Sequence, residues 1–246
     1  MSRVREIVRR SLPLAALLAA ALAVPGARAA AAPPTVAVLY FDYDGPDEEL
    51  FALRKGITDF LVSQLASAET VQLVERTRLQ EVLAELELQQ TRRIDPTSAA
   101  RVGKLLGARY LVFGSYFQLG AGLQATARIV EVETGKILFA HSALTTADDI
   151  LPVYLGLSDG LKNFLVAKLP ALAAASKRAD PPPRGAAAKP VAPPRKQLKL
   201  EQAKDHAVAL DAIDRKDKAT AVKKLQEVLA ANDDFPLASA QLASLN

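Results

Sequence analysis

The sequence contains no cysteine and no tryptophan, a single methionine and only two histidines in 246 residues. Without cysteine there is no disulfide framework, no thiol nucleophile, no cysteine-bound zinc and no thiol for a lipid anchor. With only His141 and His206, about 65 positions apart, neither stands in a metal-ligand or triad spacing. Long apolar runs are also missing. The longest, Leu14 to Val24, covers 11 residues, and a bilayer-spanning helix needs about 20. No G-x-S-x-G or Walker pattern occurs, and Gly114, Gly120 and Gly122 do not form G-x-G-x-x-G.

What is present is a globular composition, 50% hydrophobic and 24% charged, with a formal net charge of +4. That charge is unevenly placed. Residues 1–29 carry five arginines and one glutamate, residues 30–169 carry 13 basic and 17 acidic side chains, residues 170–197 carry six and one, and residues 198–246 carry seven and eight. From residue 30 onward the chain is neutral, so the positive balance is no argument for a nucleic-acid partner.

The first 29 residues have the plan of an export signal. Arg3, Arg5, Arg9 and Arg10 precede the apolar run, Pro25 breaks it, and Ala27 and Ala29 form an A-x-A site, with further cuts open through Ala32. Arg9-Arg10 leaves a twin-arginine route open beside the general one. The expected location is the periplasm, with association to the outer membrane possible and no transmembrane segment in the mature chain.

Residues 30–169 alternate apolar runs with helical periodicity and predict the order β-α-β-α-α-β-β-β-α, a layered α/β sandwich with a mixed, largely antiparallel sheet. Thr35 to Asp42 reads as one buried strand and Val71 to Val74 as another. Leu50, Leu53, Ile57, Phe60, Leu61 and Leu65 recur at helical spacing behind Asp47, Glu48 and Glu49, which suit a helix N-terminus. Asp95-Pro96 predicts a helix start and Gly107 a left-handed stop. The runs Tyr110–Gln118, Leu123–Glu133 and Lys136–Leu144 are strand-like and joined by short turns, hence antiparallel neighbours. Leu157, Leu161, Phe164, Leu165 and Leu169 close the domain with a helix. Residues 170–197 hold seven of the 15 prolines and read as a tether, and residues 198–246 return to helical patterning.

Several of these segments together resemble the CsgG-like superfamily of bacterial envelope proteins, which includes FlgO-type flagellar proteins, LpoB-type activators of penicillin-binding proteins and the N-terminal domain of TolB. They are Val36-Ala37-Val38-Leu39 with Phe41, Val74 to Leu79, Gly103 to Ala108, Tyr110 to Ser115, and Ala127 to Val130 followed by Glu133-Thr134-Gly135. The resemblance implies a non-enzymatic role in binding partners during envelope assembly. The curli-secretion members insert two amphipathic segments that build a β-barrel and carry a lipidated cysteine. Here only Leu119 to Gly122 separates two strands, and Leu144–Leu157 is short and interrupted by Pro152 and Gly156, so a soluble relative fits better than a pore. An oligomeric ring of the curli type is the alternative. The C-terminal stretch is similar to a tetratricopeptide fragment, with Ala221, Leu225 and Val228 at repeat positions and Arg215 to Lys218 at the turn. One and a half repeats cannot stand alone, so they pair with another chain or pack on the first domain.

No catalytic, cofactor or metal residue is assigned, and no cofactor is expected. The acidic group Asp42, Asp44, Asp47, Glu48 and Glu49 fails the calcium-loop spacing and reads as a loop plus helix-terminal acids. Arg92-Arg93 reads as a solvated loop rather than an anion site. The basic tether either keeps itself soluble or contacts an anionic polymer such as peptidoglycan. Partners are expected to be envelope proteins, with self-association open.

Overall fold

The computed structural model describes residues 33–88, 96–175 and 188–245. The export-signal segment, Arg92-Arg93, Asp95 and residues 176–187 of the tether lie outside the described residues. Residues 33–246 cluster as one compact unit.

The chain opens with strands β1 (Thr35–Val38) and β2 (Asp42–Tyr43), then helix α1 (Glu48–Leu65). Strand β3 (Gln72–Leu73), helices α2 (Arg76–Glu85) and α3 (Pro96–Leu106), and the long strands β4 (Tyr110–Leu119), β5 (Gly122–Glu131) and β6 (Ile137–Thr145) follow. Helices α4 (Leu151–Ala167), α5 (Leu169–Ala175), α6 (Leu200–Asp214), α7 (Lys218–Ala231) and α8 (Pro236–Leu245) complete it.

The sheet has six strands in the order β3-β1-β4-β5-β6, with β2 pairing beside β1 on β4. The short strands β1, β2 and β3 pair in parallel, and the β4-β5-β6 meander is antiparallel. The sheet is therefore mixed and largely antiparallel, as the sequence pattern predicts. Left-handed backbone at Gly107, Gly120 and Gly135, with φ of 65°, 61° and 68°, supplies the expected helix stop and two strand turns.

Two readings differ from the structure. The run Thr35 to Asp42 is two strands, not one. From Val38 to Asp42 the chain advances four residues while its partners advance only from Val112 to Ser115. Leu39 and the adjacent Tyr40 both enter the core on the α2–α3 face, and alternation resumes with Phe41 on the other. This is one extra residue against a straight partner, as in a β-bulge. The second difference is one of extent: the apolar positions from Leu157 belong to a helix, α4, that already starts at Leu151, with Pro152 in its first turn, where a missing N–H costs nothing.

The helices lie in layers. On one face α2 and α3 pack through Leu79, Val82, Leu83, Val102 and Leu106 on Ala37, Leu39 and Leu111. On the other, α1 and α4 pack through Leu50, Leu53, Ile57, Leu61, Leu157 and Leu161 on Val36, Val112, Ala127 and Ile129. The C-terminal helices belong to this second core: Leu198, Ala203, Leu225, Val228 and Phe235 are continuous with it. At Gly56, halfway along α1, an added Cβ would sit 3.7 Å from both the Ala203 carbonyl and Ala207 Cβ, so α6 lies nearly backbone to backbone on α1.

Part of the stretch read as a tether is also docked. Residues 169–175 form α5, and residues 188–199 are pinned to the folded body. The Ala188 N–H donates to the Leu73 carbonyl at 3.0 Å, and Gln64 Nε2 donates to the Val191 carbonyl at 2.7 Å. The Arg195 and Lys196 N–H groups share Asp234 Oδ2 at 2.7 and 2.8 Å, and Pro194 is buried. Proline-rich chain lacks its own ladder bonds, so its polar backbone groups find partners on the surface it crosses.

Candidate functional site

The two histidines are far apart in role. The His141 ring lies against Gly160 of α4, where an added Cβ would come 2.7 Å from Cγ, and stacks beside Phe139 at 6.1 Å between centroids. His206 is buried in α6, with Nε2 2.7 Å from Gln241 Oε1 and its ring 4.8 Å from Phe235. Loss of solvent pushes the His206 imidazolium below its ordinary pKa, against the pull of Asp59, so the ring is held neutral.

Within the acidic group, Glu49 Oε2 accepts from Lys204 Nζ of α6 at 2.9 Å. Asp47 is the N-cap of α1, its Oδ1 accepting from Glu49 N at 2.8 Å and Leu50 N at 3.3 Å, with Glu48 and Glu49 in the first turn. Asp42 lies in β2. Among the described residues no three His, Asp or Glu side chains converge as metal ligands. Gly114 and Gly122 serve the sheet: a Cβ at either would collide with the carbonyl of Thr126 or of Thr145 on the neighbouring strand.

The charged groups that do converge were not singled out by any sequence pattern. They sit where α6 meets α1 and α2. Lys55 Nζ contacts Asp211 Oδ1 and Asp214 Oδ2, both at 2.7 Å. Arg76 Nη1 donates to Asp214 Oδ1 at 2.7 Å and Oδ2 at 2.9 Å, and Arg76 Nε to Asp59 Oδ1 at 3.2 Å. The Asp214 side chain is only 5% exposed and Arg76 5%, so one carboxylate serves two buried cations. Gln241 of α8 extends the chain of bonds, donating to Asp59 Oδ2 at 2.6 Å while accepting at His206. Tyr40 donates to Gln80 Oε1 at 2.7 Å.

The electrostatics follow from this burial. Desolvation opposes the Arg76 charge, but Asp59, Tyr40 and Asp214 outweigh it and hold its pKa above the ordinary value. Burial pushes the Tyr40 hydroxyl up to about 12 despite Arg76, so it stays a neutral donor. This is a network of fixed charge states, suited to locking elements together and not to proton transfer at neutral pH.

Beside the network runs a groove of about 870 Å³ between α1, α2 and α6. Phe51, Arg54, Glu81, Ala84, Val208 and Arg215 line it, and the Arg54 guanidinium stacks 4.2 Å from the Phe51 ring centroid. Its lining mixes these charged side chains with a small apolar floor of Phe51, Ala84 and Val208. Among the described residues no helix is long and apolar enough to cross a membrane.

Comparison with known proteins gives the following. No curated protein matches the chain. Among solved structures, the C-terminal domain of LpoB from Escherichia coli aligns at 19% identity over 49% of this chain and 88% of its own, with a TM-score of 0.37. The PelC dodecamer from Paraburkholderia phytofirmans aligns at 13% identity over 56% of this chain and 91% of its own, with a TM-score of 0.38. Residues 30–127 match the family described as curli production assembly/transport component CsgG. That segment includes β1 to β4, their helices and the start of β5, and over it the chain is similar to that family.

Proposed function

We propose that this chain is an exported, non-enzymatic protein of the bacterial envelope that binds other envelope proteins while a surface structure is assembled or regulated. The carrying observation is the CsgG match over residues 30–127, whose family description names assembly and transport. The basic, apolar and A-x-A plan of residues 1–29 supports the envelope setting. In this reading the domains are a signal over residues 1–29, a CsgG-like body over 30–169 and a tetratricopeptide-like pair within 198–246, bound to the body by residues 170–197. The groove between α1, α2 and α6 is the partner contact.

The test is chemical crosslinking in intact cells followed by recovery of the chain, with and without Ala84→Trp, which fills the groove from an exposed position. Recovery of an envelope protein that Ala84→Trp abolishes is the expected result. Unchanged recovery moves recognition off the groove. A chain found in the cytoplasm with residues 1–29 intact overturns the envelope reading.

A further inference from the structure

The two edges of the sheet are finished in opposite ways. At one, β3 is two residues long and its Leu73 carbonyl is taken by the Ala188 N–H at 3.0 Å, so little main chain is left to pair. At the other, β6 runs nine residues, about 30 Å at the usual rise per residue, and among the described residues it pairs with β5 alone. Natural edges are usually guarded by charge, proline or brevity. β6 has none of these: its sequence ILFAHSALT carries neither a charged residue nor a proline.

The flanks of this edge are apolar as well. Ile137 and Leu144 on β6 are 55% and 58% exposed. On the helix side a groove of about 710 Å³ runs beside Phe139 between α4 and α5, lined by Gly160, Phe164, Ala167 and Leu172. Val166 and Leu172 are exposed nearby. A strand added to β6 would satisfy the edge's outward N–H and C=O groups and set apolar side chains against that groove.

The β6 sequence fits its own copy. In antiparallel pairing about a two-fold axis at His141, Leu138 falls opposite Leu144, bulky Phe139 opposite small Ala143, and Ala140 opposite Ser142. His141 meets its own copy on the axis; away from it Phe139 meets only small Ala143, and no Lys, Arg, Asp or Glu faces a like charge. The interface is isologous, so it closes at two copies and does not propagate. We propose that β6 pairs with β6 of a second copy about this axis, joining two six-stranded sheets into one continuous sheet with α4 of each copy side by side above the seam.

The register is tested by charge placement on the purified full chain, read by sedimentation equilibrium across a concentration series. Ala140 and Ser142 are exposed, so substitution there leaves the core intact, and circular dichroism and thermal unfolding of each variant check this. The unsubstituted chain is expected to be a dimer. Ala140→Lys with Ser142→Lys sets lysine opposite lysine twice and is expected to raise the dimer dissociation constant at least tenfold. Ala140→Lys with Ser142→Glu sets lysine opposite glutamate twice and is expected to restore association to within about threefold. A chain that stays monomeric at every concentration overturns the proposal, and so does an oligomer that both double variants leave unchanged.

Discussion

Asp214 sits at the end of α6 and accepts from two cations that reach it from different elements, Lys55 on α1 and Arg76 on α2. Replacing it by alanine leaves both cations buried with one carboxylate each, Asp211 for Lys55 and Asp59 for Arg76. Asp214→Ala is expected to cost about 3 kcal/mol, the lower end for breaking a buried pair, measured by urea unfolding. Tyr154 makes the opposite case. Its hydroxyl is buried without a hydrogen-bond partner among the described residues, and burial pushes its pKa well up. Tyr154→Phe removes an unsatisfied donor while keeping the ring packed 4.7 Å from Phe60, so stability is expected to be unchanged or higher by up to about 1 kcal/mol. His206 gives a pH signature. Its folded pKa lies below the ordinary 6.5, so the unfolded chain takes up the proton first as pH falls. Stability is then full above about pH 6.5 and declines below it, by up to about 1.4 kcal/mol per pH unit from this one group. Urea midpoints at pH 7.5 and 5.5 check it, and His206→Asn is expected to flatten the difference. Of these residues the sequence showed only local roles. Asp47 as a helix-terminal acid and Gly107 as a stop were legible because a helix end is read from a few neighbouring residues. The Lys55–Asp214 pair spans 159 positions, and charges on amphipathic helices read from sequence as a solvated face.

At the scale of elements, strand order and type were legible where the turns were short. The β4-β5-β6 meander follows from two tight glycine turns, and its boundaries fall within two residues of those read from the pattern. The break in the first strand was hidden because Leu39, Tyr40 and Phe41 are all apolar, so nothing in the run marks the residue at which alternation slips. The α4–β6 contact shows a similar limit. Gly156 and Gly160 are one helical turn apart and face β6, where added Cβ atoms would come 2.9 Å from Ala143 Cβ and 2.7 Å from His141 Cγ. In the fold these glycines let the helix settle onto the strand. Gly160→Val is expected to destabilise the protein by about 1–3 kcal/mol through overpacking. In a His141→Ala background the same substitution is expected to cost at least 1 kcal/mol less, because the ring it strikes is gone. A double-mutant cycle by thermal unfolding measures that difference.

At the scale of the molecule, the C-terminal helices are the part whose placement changes the account most. Ala221, Leu225 and Val228, the positions of the expected repeat, are all buried. Where these helices dock was not readable, because it depends on the exposed-looking side of α1, where Lys55 is in fact buried against Asp211 and Asp214 of α6. The described residues form an α/β sandwich with an added helical layer fastened to it by a charged network. The groove proposed as the partner contact is built from both parts, so it exists only while they stay together. Amide hydrogen exchange followed through a urea series tests this most directly, comparing peptides from α6 and α7 with peptides from β4 and β5. The account predicts that both sets lose protection at the same urea concentration, as one cooperative body. Loss of protection in α6 and α7 at clearly lower urea, with the sheet still fully protected, would contradict it.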